Sequence, residues 1–202
     1  QRHNAAVAVA MAEALFEGAW PRPGLPLERA AIEAGLAAAH WPGRLELRRF
    51  RGHPLLLDGA HNPPAAAVLR QELDLLAPGP RRWLIGIQRH KDGPAILERL
   101  LGPLDRALVV PIPDHHCWSG IALAEACPAL AGQLVGAADA REGLERLVIS
   151  APATAANGAM AMETCPVIAG SLHLLGLVIP WLDQPDQLQE SNKRKEAIRK
   201  SP

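Results

Sequence analysis

The residues best suited to chemistry lie in the stretch PLLLDGAHNPPAAAVL, residues 54–69. The Asp58 carboxylate could hold ribose hydroxyls or a cation-bound water, and the His61 imidazole could donate to a phosphate or a carboxylate. Asn62 suits the N-cap of a helix and Pro63 its first turn. The stretch therefore predicts a strand–turn–helix unit that presents Asp58 and His61. A plain capped turn with a surface histidine stays open as an alternative.

Alternating strands and helices must position these side chains. The predicted strands are 45–50, 54–57, 83–87, 106–112, 133–137 and 167–170, and the predicted helices are 4–16, 27–39, 63–76, 93–101, 120–130, 139–148 and 171–182. This alternation is typical of an α/β fold, with a mainly parallel sheet flanked by helices. Ligands of such sheets bind where the strands end at their carboxyl termini, which is where Asp58 and His61 lie.

The chain is expected to contain three parts: residues 1–39, 40–182 and 183–202. Helix 4–16 is apolar on all sides, and such a helix has to be buried all round. We therefore expect residues 1–39 to be the helical end and connector of a domain whose remainder lies upstream. Residues 40–182 form the α/β domain, in which 150–165 is predicted to be a loop, and the polar segment 183–202 is predicted to be a flexible tail.

Composition excludes several classes of protein. Basic and acidic residues number 21 each, so no net charge attracts nucleic acid or an anionic membrane. The longest apolar run, residues 166–182, is 17 residues long and contains polar residues and a proline, whereas a membrane span needs about 20. Three cysteines without a CxxC spacing favour a reducing, cytoplasmic location over a disulfide scaffold.

Five stretches resemble, in order, the motifs of one family. They are QRHNAAVAVA (1–10), WPGRLE (41–46), DGAHNP (58–63), IGIQRHKD (85–92) and VIAGSLHLLGLV (167–178). Together they resemble the folylpolyglutamate synthase/dihydrofolate synthase family of the Mur ligase superfamily, whose C-terminal domain is Rossmann-like. The resemblance implies an ATP-dependent ligase that makes an acyl phosphate. It then joins L-glutamate to dihydropteroate, or to the γ-carboxylate of a folate.

The resemblance also implies roles for single residues. Asn4 would sit against the nucleotide, and Arg44 would reach the γ-phosphate as a catalytic and ATP-binding group. Asp58 would hold the ribose or order the domain junction. His61 would lie near the phosphates and the transferring group, as a second catalytic residue. Lys91 and Asp92 match the family in type, but no role is assigned to them.

Two departures from the family bear on these expectations. His173 and Leu177 stand where the family usually has Tyr and Glu, so the resemblance assigns no role to either position. The 202 residues contain no GxxxxGK(S/T) phosphate loop. We therefore expect a C-terminal fragment that binds ATP weakly and catalyses nothing alone. The Mg²⁺ ligands, the pterin pocket and the N-terminal domain that partners it would lie upstream. The intact enzyme is expected to be a monomer.

A histidine-rich loop, PDHHCWS, follows the predicted strand 106–112. Its Asp-His-His-Cys letters match the protein palmitoyltransferase motif, but that family needs membrane spans and a cysteine-rich zinc domain. Adjacent side chains of an extended loop diverge, which disfavours a metal site at His115, His116 and Cys117. We expect instead that His115 and Ser119 help to bind glutamate.

Two other functions remain open. The chain could be a stand-alone α/β module that binds a nucleotide or an acidic metabolite in the Asp58–His61 crevice. It could also belong to a Mur or cyanophycin-type ligase for another amino acid, although those usually carry residues such as DYAH at this position.

Overall fold

A computed structural model describes residues 2–18, 27–149 and 165–183, and the chain divides into two units, Gln1–Pro42 and Gly43–Pro202. The predicted loop at 150–165 and the predicted tail fall almost wholly outside the described residues. The first unit contains helices α1 (Arg2–Gly18) and α2 (Arg29–Ala38), which confirms both predicted helices. Apolar side chains of α1 are exposed, namely Val7, Met11, Leu15 and Phe16. That α1 belongs to a larger domain stays a prediction.

The second unit is built on a six-stranded sheet with the order β1-β2-β6-β3-β4-β5. Its strands are β1 (Glu46–Phe50), β2 (His53–Leu57), β3 (Arg82–Ile85), β4 (Arg106–Val109), β5 (Leu134–Gly136) and β6 (Val167–Ala169). Only the β1–β2 pair among these strands is antiparallel. The predicted, mainly parallel sheet is therefore confirmed.

Helices cover both faces of this sheet. They are α3 (Pro63–Leu76), α4 (Gly93–Leu100), α5 (Gly120–Ala126), α6 (Ala140–Ile149) and α7 (Leu172–Val178). Buried side chains of α3, α4 and α5 form one core cluster with Leu56, and those of α6 and α7 form another with Leu55 and Leu57. Because successive side chains of a strand point to opposite faces, a strand covered on both faces must be apolar throughout.

Local signals set most helix boundaries. The Asn62 side chain accepts the N–H of Ala65 at 2.9 Å, which confirms the predicted cap, and Asp139 caps α6 in the same way by accepting the N–H of Glu142 at 2.8 Å. Two predicted helices are too long. Helix 120–130 ends at Ala126 and a 3₁₀ helix, Pro128–Gln133, follows, since proline disfavours helical geometry in the residue before it. Helix 171–182 gives way after Val178 to the 3₁₀ turn Ile179–Trp181.

One buried carboxylate ties helices and strands together on the α3–α4 side. Asp105 is 1% exposed and accepts hydrogen bonds from the Arg81 N–H (2.7 Å), Trp83 Nε1 (2.9 Å), the Gly102 N–H (3.0 Å) and Arg70 Nη1 (2.8 Å). Four donors satisfy the buried charge and so offset its desolvation. Within the described residues, no helix is long and apolar enough to cross a membrane.

Candidate functional site

The loops after β2, β3, β4 and β6 meet at the carboxyl edge of the sheet. β6 lies between β2 and β3. The helices after β2 and β3, which are α3 and α4, pack on one face, whereas α7, after β6, packs on the other. The loop after β6 therefore diverges from its two neighbours. In parallel sheets this divergence opens the crevice in which ligands bind.

The Asp58 carboxylate links two backbone segments at this edge by hydrogen bonds. Its Oδ2 accepts the N–H of Leu45 at 3.1 Å, and its Oδ1 accepts the N–H of Ala60 at 2.8 Å. The side chain is nearly buried, and that burial raises its pKa, although both backbone donors and the nearby Arg44 oppose the shift. Asp58 thus joins the start of β1 to the turn that follows β2.

Arg44 lies next to the Asp58 carboxylate at this edge. Its Nη1 lies 3.8 Å from Asp58 Oδ1, and its side chain is 34% exposed. The N–H of Gly59 donates at 2.7 Å to the carbonyl of Gly43, the residue before Arg44, and this bond fixes the backbone there. The guanidinium is therefore within ion-pair distance of Asp58, but beyond hydrogen-bond distance, while part of the side chain remains accessible. A guanidinium in that state can receive an anion such as a phosphate.

His61 is oriented by its own turn. Its Nδ1 lies 2.7 Å from the Gly59 carbonyl, which can only accept, so Nδ1 carries the proton in that bond. The other ring nitrogen, Nε2, is left as the reactive atom. His61 lines a cleft of about 160 Å³ together with Gln88, Lys91, Gly170, Ser171, Leu172 and His173. We name this space the switch cleft.

A larger space, the outer cleft, lies beside the switch cleft. It measures about 410 Å³ and is lined by Gln88, Arg89, His90, Asp114, His115 and His116. Gln88 lines both clefts, and its Nε2 lies 2.9 Å from Nδ1 of His115. The His115 ring packs against that of His173 with centroids 4.2 Å apart. This ring pair and Gln88 form the boundary between the two clefts.

The other predicted site residues are His115 and Ser119, which do not line the switch cleft, and Asn4. His115 and Ser119 line a third cleft of about 330 Å³, but the Ser119 hydroxyl accepts the N–H of Ala122 at 3.1 Å and caps α5. Their predicted contact with glutamate stays a prediction. Asn4 is exposed on α1, in the separate first unit. Its predicted contact with a nucleotide is likewise untested.

Sequence reasoning missed Gln88, Arg89 and the pairing of His173 with His115. Gln88 and Arg89 stand inside the IGIQRHKD motif, and His173 was noted only as a departure from a family pattern. Among the described residues, no group of three or more His, Cys, Asp or Glu side chains could hold a metal ion.

Comparison with known proteins gives a consistent result. The family model for the C-terminal domain of dihydrofolate synthetase matches residues 44–181, more than half of the chain. A folylpolyglutamate synthase from Lacticaseibacillus casei is 36% identical over 114 residues, which cover 56% of this chain and 25% of that protein.

Solved structures agree with the sequence comparison. The folylpolyglutamate synthase of Mycobacterium tuberculosis complexed with ADP has a TM-score of 0.69 at 28% identity, covering 88% of this chain and 39% of that one. The bifunctional folylpolyglutamate synthase/dihydrofolate synthase of Yersinia pestis, complexed with AMPPNP and a Mn ion, has a TM-score of 0.61 at 28% identity, covering 77% of this chain and 35% of that one. This chain thus spans about a quarter to two fifths of the length of these proteins.

Proposed function

Because the chain belongs to the family of dihydrofolate synthetase C-terminal domains, as its ordered motifs predicted, we propose that it supplies one half of an ATP-dependent ligase site. The reaction would join L-glutamate to dihydropteroate or to the γ-carboxylate of a folate. The observation that carries the proposal is the placement of Arg44 and His61 around Asp58 at the carboxyl edge. The similarity to a mycobacterial structure complexed with ADP supports a nucleotide as a ligand of the complete enzyme.

The proposed chemistry has two steps. The substrate carboxylate attacks the γ-phosphorus of ATP. The bond between that phosphorus and the oxygen bridging the β- and γ-phosphates breaks, and ADP is released. The amine of glutamate then attacks the acyl phosphate carbon, phosphate leaves, and the nitrogen loses its extra proton. Anionic reactants must approach one another in both steps, so groups that offset negative charge lower both barriers.

Arg44 would offset charge on the γ-phosphate. A guanidinium offers paired N–H donors that match two phosphate oxygens, and the Asp58 carboxylate lies 3.8 Å from this one. Asp58 was expected to hold the ribose or to order the junction. Its two backbone bonds favour the ordering role, because both oxygens already accept an N–H.

His61 would act at the transferring group. With Nδ1 donating to the Gly59 carbonyl, Nε2 of the neutral ring is an acceptor that can take the proton lost by the glutamate amine. The resulting imidazolium can donate to the departing phosphate. Lys91 lines the same switch cleft and would add a second positive charge beside it.

The described residues do not fit a divalent metal. They contain no suitable group of ligands, and the Asp58 oxygens are engaged by backbone N–H groups and lie beside Arg44. No step is therefore assigned to a metal on this chain. The Yersinia pestis structure is complexed with a Mn ion. It supports a divalent ion in the complete enzyme, which we propose to be Mg²⁺ with ligands from another part of the protein.

The remaining parts follow from the same proposal. Residues 1–39 would be the end of the central ATP-binding domain and bring Asn4 to the nucleotide, 40–182 would be the C-terminal domain, and 183–202 a polar tail. The complete enzyme would be a monomer in the cytoplasm. Three cysteines that are free in the described structure support that location.

Titration with ADP and with AMPPNP, which retains a γ-phosphate, tests the proposal. Arg44→Ala is expected to weaken AMPPNP binding about tenfold, the effect of losing a charge-assisted hydrogen bond to the γ-phosphate, and to change ADP binding much less. Arg51→Ala is the matched control, because Arg51 pairs with Glu145 at the β1–β2 turn rather than with Asp58. Equal AMPPNP affinity for the two variants would contradict the proposed role of Arg44. Glutamate-dependent release of ADP by the 202-residue chain alone would contradict the proposal that it holds only half of the site.

A further inference from the structure

Arg89 lies at the outer cleft as a prearranged cation. Its guanidinium carbon stands 3.4 Å from the ring centroid of Trp118, and the Trp118 Nε1 donates to the Lys91 carbonyl at 3.1 Å. Stacking on a fixed ring leaves the N–H edge of a guanidinium available for ligands. In the described part of the chain, Arg89 has this ring contact but no ion pair with a carboxylate.

The walls of the outer cleft are held together by backbone bonds. The N–H of Arg89 donates to the His116 carbonyl at 2.8 Å, and the N–H of Trp118 donates to the Ile87 carbonyl at 2.9 Å. Gln88 and Cys117 form a β-bridge between the same two loops. The loops after β3 and β4 are therefore joined as a short ribbon. A ligand would bind with little loss of loop entropy.

The polar groups of this cleft match a particular chemical unit. Arg89 can bind a carboxylate, and the Asp114 carboxylate can accept an amide N–H. The imidazoles of His90 and His116 can bind a carbonyl or a second carboxylate. A γ-linked glutamyl unit carries an α-carboxylate, an amide N–H and a carbonyl. Asp114 would disfavour a ligand that offers negative charge alone.

The position of the outer cleft favours a chain of several γ-linked glutamyl units over a single amino acid as its ligand. The outer cleft adjoins the switch cleft across Gln88 and the His115–His173 ring pair, and it is more than twice as large. A substrate whose terminal unit reacts in the switch cleft could extend past the rings into the outer cleft. Its volume lies within the range of ordinary ligand sites, about 300–1,000 Å³.

We propose that the outer cleft binds the γ-glutamyl chain of an elongated substrate through its α-carboxylates, with Arg89 as the principal contact. This inference rests on the proposed function, since that reaction supplies a glutamyl chain. The same carboxylate chemistry could come from free L-glutamate, so the experiment has to separate the two sources.

Binding of defined probes to the 202-residue chain tests the inference by calorimetry or by amide chemical shifts. A γ-linked triglutamate is expected to bind more tightly than L-glutamate. A γ-linked peptide with amidated α-carboxylates is expected to bind at least about tenfold more weakly than the triglutamate. Equal affinity of L-glutamate and the triglutamate, or of the charged and amidated peptides, would overturn the inference.

Arg89→Ala is expected to weaken triglutamate binding about tenfold, and Arg89→Lys should restore part of it by keeping the charge. Arg141→Ala is the matched control, because Arg141 also lies over aromatic rings, those of Phe50 and Trp181, at 5.5 Å, but on α6. Wild-type affinity in a folded Arg89→Ala variant would overturn the inference.

ADP titration separates this inference from the proposed function. Arg89→Ala should leave ADP binding unchanged. Triglutamate binding by a chain that does not bind ADP would support the outer cleft and contradict the nucleotide site. ADP binding without triglutamate binding would overturn the outer-cleft assignment alone.

Discussion

Replacing Gly170 with alanine is expected to destabilise the protein by about 3 kcal/mol, the sum of two costs. Gly170 has φ of 101°, and an L-residue with positive φ costs about 1–2 kcal/mol. An added Cβ would lie 2.8 Å from the Gly86 carbonyl oxygen, 3.1 Å from Ile87 Cγ1 and 3.2 Å from Ile85 Cγ2. Crowding of a packed core costs about 1–3 kcal/mol more. The carbonyl belongs to β3's own loop, so it cannot move aside without disturbing the sheet.

Gly52→Ala provides the control that separates the two costs. Gly52 also has positive φ, 78°, but no atom lies within 4 Å of its added Cβ. This variant should therefore lose only about 1–2 kcal/mol. Urea unfolding followed by circular dichroism and tryptophan fluorescence measures both variants, provided that their m-values match. Equal losses for the two variants would refute the crowding argument.

The same substitution should also affect the site. The Gly170 N–H donates to the Ala60 carbonyl at 2.9 Å, and Gly170 lines the switch cleft beside His61. A shift of Gly170 would move the turn that orients His61. We therefore expect Gly170→Ala, but not Gly52→Ala, to change the amide chemical shifts of residues 59–62. Unchanged shifts in a folded Gly170→Ala variant would contradict this coupling.

Three further predictions concern buried groups. Asp105→Asn should lower the free energy of unfolding in the same urea assay by about 2–4 kcal/mol, because one amide oxygen cannot accept from four donors. Asp74→Asn is the control: it changes the exposed partner of Arg70 and should cost less than about 1 kcal/mol. Burial raises the pKa of Cys165 to about 11, so Cys165 should stay a thiol at pH 8 and react with a disulfide reagent much more slowly than the half-buried Cys117, as mass spectrometry of the labelled protein would show. Burial raises the pKa of Asp58 in the folded state above that in the unfolded chain. The stabilisation that follows is therefore full below the unfolded-state pKa and is lost as the pH rises through the raised folded-state pKa. Asp58→Asn should remove this pH-dependent loss from a series of urea midpoints measured at different pH.

Local chemistry explains why much of the fold was predictable. The run of leucines in β2 identified a strand covered on both faces, and Asn62 with Pro63 marked the start of α3 to the residue. Leu45 shows where local patterns failed. It was assigned to β1 for its apolar side chain, but its φ of 45° places it before the strand, where its N–H donates to Asp58.

The candidate site was only partly predictable, because it depends on contacts between distant segments. The chain inserts β6 between β2 and β3, and no periodicity in residues 167–169 specifies those neighbours. That insertion brings His173 against His115 and sets Gly170 beside His61. The motifs identified the loops that carry chemistry, but the division into a switch cleft and an outer cleft required the fold.

The turn at residues 58–61 shows how that fold turns an ordinary strand end into a site. The Asp58 N–H donates to the Ile168 carbonyl, the Gly59 N–H to the Gly43 carbonyl, and the Ala60 carbonyl accepts from the Gly170 N–H, so three hydrogen bonds from two other segments hold the turn. Both oxygens of the Asp58 carboxylate accept backbone hydrogen bonds, from the N–H groups of Leu45 and Ala60. The side chain of this turn that remains to meet a ligand is that of His61, and Arg44 lies 3.8 Å from Asp58 of the same turn. Because the Gly59 carbonyl orients His61 and Asp58 lies 3.8 Å from Arg44 before any ligand binds, little reorganisation would remain for the proposed reaction, and such preorganisation lowers a barrier.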